Sequence, residues 1–181
     1  MAADLLTRKI NRHFDLIDTD GNGSITKEDF DLIVSRMAAG FGHAPGSPKF
    51  VELAEVYGNL WTGLRENLDT DGDGAVSREE YAHGLTSGVL TGEGYEQLMQ
   101  PVAKVVFSLC DTNGDGRLDR EEIAKAHLAL GVQGEDHEVA MARLDRNGDG
   151  YVDEKELVQA LQDFFLSQDD DAPGNFLFGR I

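Results

Sequence analysis

The chain has 181 residues, 40% of them hydrophobic, with 34 acidic against 16 basic side chains and a formal net charge of −18. That length and apolar content suit one compact domain or two small packed lobes and exclude a disordered acidic tail. The charge disfavours nucleic acid and anionic membranes and favours cations, and no apolar run approaches the roughly 20 residues of a membrane span.

In chain order, Leu6, Ile10, Phe14 and Ile17 recur at helical spacing. They stand where a secretory signal would need an unbroken apolar stretch. A twelve-residue segment, DTDGNGSITKED, follows from Asp18. GFGHAPGSP, residues 40–48, is turn-forming, and its Ser47-Pro48 predicts an N-cap followed by proline at the first helical position. Leu53, Tyr57, Leu60, Leu64 and Leu68 predict a helix. It runs into a second segment, DTDGDGAVSREE, from Asp69. The turn-forming SGVLTGEG, residues 87–94, marks a boundary between halves, an N-terminal pair over 1–90 and a C-terminal pair over 91–181. DTNGDGRLDREE starts at Asp111, GVQGE occupies 131–135, and DRNGDGYVDEKE starts at Asp145. Leu157, Leu161, Phe164 and Phe165 predict the last helix, and the tail QDDDAPGNFLFGRI follows.

The four segments are repeats in register. Oxygen-bearing side chains stand at position 1 (Asp18, Asp69, Asp111, Asp145), position 3 (Asp20, Asp71, Asn113, Asn147) and position 5 (Asn22, Asp73, Asp115, Asp149). Gly23, Gly74, Gly116 and Gly150 at position 6 permit the positive φ of a sharp turn. Position 7 offers a backbone carbonyl, which leaves the side chains of Ser24, Ala75, Arg117 and Tyr151 free to vary. Position 12 is Asp29, Glu80, Glu122 or Glu156. This is the EF-hand loop signature, in which converging oxygens take the place of water around a hard divalent ion at about 2.3–2.6 Å. Up to four Ca²⁺ are therefore expected as cofactors. Asp29 is one methylene shorter than Glu, which predicts a first site weaker for Ca²⁺ or tolerant of Mg²⁺.

Position 9 (Thr26, Ser77, Asp119, Asp153) precedes position 12 by three residues, so the two together predict a capping box on each exiting helix. Position 8 (Ile25, Val76, Leu118, Val152) predicts short backbone bridges that pair Ile25 with Val76 and Leu118 with Val152. Cys110 is the one cysteine and cannot form an internal disulfide; it reads as a packed thiol. The five histidines lack zinc-ligand spacing. No nucleophile–base pairing is recognisable, so no enzyme is expected.

Four hands, unequal spacing and an acidic turn leading into NFLFG resemble the sarcoplasmic calcium-binding and calerythrin-like proteins over essentially the whole chain. The resemblance implies an all-α fold, with four EF-hands in two paired lobes packed compactly and short β bridges between paired loops. It implies calcium buffering or transport, with ligands at positions 1, 3, 5, 7 and 12 as numbered above; the dense ligand loops themselves suggest a cytosolic buffer or signal modulator. A monomer in the cytoplasm, with calcium ions as its partner and no protein target identified, is expected. Four methionines and a tail suited to plug an apolar pocket favour a buffer. The alternatives are a sensor that opens a groove to a target and a luciferin-binding or photoprotein-like module, to which a single tryptophan lends little support.

Overall fold

The computed structural model describes residues 2–87, 94–132 and 136–181. Eight α-helices are present among them: α1 (Ala2–Ile17), α2 (Lys27–Gly40), α3 (Pro48–Leu68), α4 (Arg78–Ser87), α5 (Gln100–Cys110), α6 (Arg120–Ala129), α7 (Asp136–Leu144) and α8 (Glu154–Leu166). Each twelve-residue loop joins two of them. The turns proposed at 87–94 and 131–135, and with them the boundary at 90, fall on or beside segments outside the described residues.

Local chemistry accounts for the helix ends. Ser47 is the N-cap of α3, its hydroxyl accepts from the Phe50 N–H at 3.4 Å, and Pro48 follows, as the sequence indicates. A π-helical turn over Tyr95–Met99 runs into α5. Pro101, which has no N–H to give to the helix, stands at that junction. The apolar stripes are buried: Leu53, Tyr57, Leu60, Leu64 and Leu68 on α3, and Leu157, Leu161, Phe164 and Phe165 on α8. On α1 the structure shifts the stripe slightly, because Leu5 is buried while Leu6 is half-exposed.

The loops pair through two-residue antiparallel strands. β1 (Ser24–Ile25) lies on β2 (Val76–Ser77) with Ile25 opposite Val76. β3 (Arg117–Leu118) lies on β4 (Val152–Asp153) with Leu118 opposite Val152. The two pairs share one continuous core, in which Phe14, Phe30, Trp61 and Leu64 meet Val102, Phe107, Leu157 and Phe164. Helix contacts α3 with α5 and α2 with α6 carry that core across the pairs.

The tail folds back onto this body. Leu177 is buried, and Phe178 stands edge-on to Phe164 at 4.8 Å between ring centres. Gly174 lies so close to α8 that a Cβ there would sit 2.1 Å from the Ala160 carbonyl oxygen. Basic residues of α1 tie the tail down. Lys9 Nζ donates to the carbonyls of Asp163 (3.1 Å) and Ser167 (2.8 Å) at the end of α8, where a cation meets the negative end of the helix dipole. Arg12 Nε donates to the Phe178 carbonyl at 2.8 Å, and Arg8 pairs with Asp170 at 2.9 Å.

Under the tail, His13 is buried against Phe164, Phe165 and Phe178. Burial pushes the Tyr81 hydroxyl pKa up, and this neutral hydroxyl is hydrogen-bonded to His13 Nδ1. Burial also pushes His13 down to about 3. The folded state therefore holds the imidazole neutral, whereas the unfolded chain takes a proton below about 6.5. The stability from this neutral burial is complete above pH 6.5 and is lost as pH falls toward 3. Urea unfolding of the calcium-saturated protein between pH 6.5 and 5.5 should show a stability slope of up to about 1.4 kcal/mol per pH unit from this residue. His13→Gln should flatten the slope, and an unchanged slope would show that His13 does not set it.

Candidate metal centres

The four loops repeat one hydrogen-bonding scheme. The position 1 carboxylate accepts from backbone N–H groups across the turn: Asp18 from Asn22 and Gly23 at 3.0 and 2.9 Å, and Asp69 from Gly72 and Gly74 at 2.8 and 3.1 Å. Asp111 and Asp145 do the same with Gly114 and Gly116, and with Gly148 and Gly150. The position 3 side chain accepts from the position 5 N–H, and position 5 from position 7. In loop four these are Asp149 N to Asn147 Oδ1 and Tyr151 N to Asp149 Oδ1, at 2.8 and 2.9 Å. Alternate side chains are thereby turned toward the same interior point.

The position 12 carboxylate closes each loop. One of its oxygens accepts from the N–H of position 2 and the other from the N–H of position 9. Glu80 does so with Thr70 and Ser77 at 2.8 and 2.9 Å, and Glu122 with Thr112 and Asp119 at 2.8 and 3.1 Å. Glu156 does so with Arg146 and Asp153 at 2.9 and 3.1 Å. Despite its shorter arm, Asp29 makes both closures, to Thr19 and Thr26 at 2.9 Å each. The exiting helices carry the reciprocal cap as well, with Asp119 and Asp153 accepting from the N–H groups of Glu122 and Glu156. The donors on Glu80, first the Ser77 N–H and with it that of Thr70, hold its carboxyl down at about 2.

These groups meet the requirements of a divalent ion. Carboxylate oxygens of Asp18, Asp20 and Asp29 lie within 4.8 Å of one another, as do those of Asp69, Asp71 and Asp73. Like charges at about 4 Å repel by roughly 1 kcal/mol in water and about 4 kcal/mol near a protein surface. Asp29, Glu122 and Glu156 are buried, and among the described residues none of them has a cationic side-chain partner. Buried charge of this kind calls for compensation. The donor set is all oxygen, without histidine or cysteine, which suits Ca²⁺ or Mg²⁺ rather than zinc. Cys110 is fully buried, and burial pushes its thiol up to about 12, which makes it inert packing.

Two features of the loops were not singled out from the sequence. Position 4 is glycine in every repeat, and Gly21, Gly72, Gly114 and Gly148 all have φ between 70° and 75°. Position 2 is threonine in three repeats, and its hydroxyl joins its N–H on the position 12 carboxylate, as with Thr19, Thr70 and Thr112. Both signals were present in the aligned repeats. At position 7 the Arg117 guanidinium lies over the Tyr151 ring at 3.9 Å, and its Nε donates to Asp115 Oδ2 at 3.4 Å.

Comparison with known proteins agrees with this geometry. The EF-hand domain pair family matches residues 7–86 and 101–162. Calerythrin of Saccharopolyspora erythraea is 27% identical over 173 residues, covering 94% of this chain and 97% of its own. A Streptomyces coelicolor calcium-binding protein superposes with a TM-score of 0.80 at 32% identity, covering 91% of this chain and 99% of its own. A sarcoplasmic calcium-binding protein from amphioxus superposes with a TM-score of 0.77 at 21% identity, covering 98% of each.

Gly148 has open space around it, so a substitution there tests backbone conformation alone. Gly148→Ala should cost about 1–2 kcal/mol from the left-handed φ. Gly148→Asn should cost less. Chemical denaturation read in EGTA compares the two, and equal stability of all three chains would remove the conformational argument.

Proposed function

Because the chain belongs to the EF-hand family, we propose that it is a cytosolic calcium buffer or signal modulator, monomeric and holding up to four Ca²⁺. It is a calcium-binding EF-hand protein similar to calerythrin. The relatives are calcium-binding proteins, not enzymes. The ions are assigned to the side chains of positions 1, 3, 5 and 12 and the carbonyl of position 7, two in the pair over 1–90 and two in the pair over 91–181. When bound, Ca²⁺ supplies the positive charge that the converging carboxylates lack. Four ions add eight charges and bring the formal −18 to −10.

The observation that carries the buffer reading is the tail. A sensor opens a groove, often methionine-rich, on binding calcium. Here Met37, Met99 and Met141 are all buried, and Leu177 of the tail is buried too, covering the apolar space between helices. The sensor reading keeps one support: the Streptomyces coelicolor relative is described as acting in prokaryotic calcium-mediated regulation. On that reading a target displaces the tail. Dye binding separates the two. ANS fluorescence should change little between EGTA and calcium, and truncation after Asn175 should raise it. A large calcium-dependent rise in the intact chain would favour the sensor.

The first hand is assigned the weakest preference for Ca²⁺ over Mg²⁺, because a shorter carboxylate spans the smaller ion's octahedron more readily than the larger shell of Ca²⁺. Isothermal titration should return four calcium equivalents, one of them suppressed by millimolar magnesium. Asp29→Glu should strengthen that site for calcium by about tenfold, equivalent to ~1.4 kcal/mol, and relieve the magnesium competition. An unchanged titration would defeat this assignment.

A further inference from the structure

We infer that the protein also binds a non-metal ligand, a small apolar molecule with one hydrogen-bond donor, in a cavity between the two EF-hand pairs, with the donor resting on His127. The cavity has a volume of about 110 Å³ and an almost wholly apolar lining. Ile17 and Phe30 reach it from the first pair, Leu118 and Leu144 from the second, and Leu177 from the tail. A dry cavity of about 150 Å³ lined by such side chains takes up benzene. At about 110 Å³ this space is somewhat tighter than that, which limits a ligand to a single small ring or a short chain, and it falls below the roughly 300–1,000 Å³ that larger organic ligands fill.

His127 lines this cavity at 5% exposure. Its Nε2 is committed to the Leu177 carbonyl at 3.0 Å, so Nε2 carries the proton and Nδ1 is left as an acceptor. Burial pushes its pKa down, which keeps the ring neutral. Nδ1 is buried without a hydrogen-bond partner among the described residues. Of the other polar groups in the lining, His13 Nδ1 is hydrogen-bonded to the Tyr81 hydroxyl, and the Tyr57 hydroxyl points at the Met37 sulfur. An unmet acceptor in an apolar space selects a hydroxyl or N–H strongly, whereas shape alone selects weakly. Ile17 and Leu144 directly precede loops one and four, and Leu118 is a bridge residue of loop three. A bound ring therefore touches the segments that carry the metal loops.

Phenol and toluene, equal in size but with and without the donor, test the inference on the calcium-saturated full chain. Methyl NMR should show saturable phenol shifts at Leu118, Leu157 and Leu177, with phenol binding at least about tenfold tighter than toluene. Anisole, the ether of phenol, should behave as toluene does. These comparisons need no variant. His127→Phe should abolish the preference for phenol, and Ala103→Leu, which fills the cavity, should weaken both ligands. No saturable phenol shift, equal affinity for phenol and anisole, or a phenol preference that survives in His127→Phe would each overturn the inference.

Discussion

The position 12 carboxylate ties local structure to everything larger in this molecule. It sits on the first turn of the exiting helix, yet its two oxygens reach back to the N–H groups of positions 2 and 9. Each loop is thus latched onto its helix by the same group that is proposed as a metal ligand. Glu122 and Glu156 also belong to capping boxes, so loop closure, helix initiation and negative charge reside in one side chain. Charge compensation at that carboxylate must strengthen the latch, and a stronger latch holds the exiting helix at a defined angle.

That angle matters because no hand buries its own apolar faces. The strands β1 with β2 and β3 with β4 set the loops side by side, and the helices that diverge from them form a shared interior. The two pairs then cover each other through α3 with α5 and α2 with α6. Trp61, Phe30 and Tyr57 fill the first pair, and Phe107, Phe164 and Leu157 the second, within one core. Any change in one loop is therefore felt by helices that also bear on the other pair.

The tail completes this arrangement with contacts that join the two chain ends. Lys9 caps the carbonyls at the end of α8, Arg12 holds the Phe178 carbonyl, and His127 holds that of Leu177. These bonds run from α1 and α6 to the end of α8 and to the tail. The same bond from His127 to Leu177 orients the imidazole and leaves its second nitrogen facing an apolar surrounding. A group that structurally anchors the tail thereby gains the capacity to recognise a ligand.

Much of this was legible in the sequence because EF-hand chemistry is local. Ligand oxygens, the position 6 turn and the capping boxes all depend on residues within twelve positions of one another, four repeats expose the pattern, and the strand pairings follow from the shared position 8 although they join different repeats. The helical stripes were legible for the same reason, since burial repeats along each helix. The tertiary structure decided what lies far apart in the chain. It placed Leu5 rather than Leu6 in the core, set Lys9, Arg12 and His127 against carbonyls some 50 to 166 residues away, and left His127 Nδ1 unmatched beside a cavity. No periodicity encodes such contacts, because they depend on how two independently amphipathic halves dock, and docking is a property of packed surfaces.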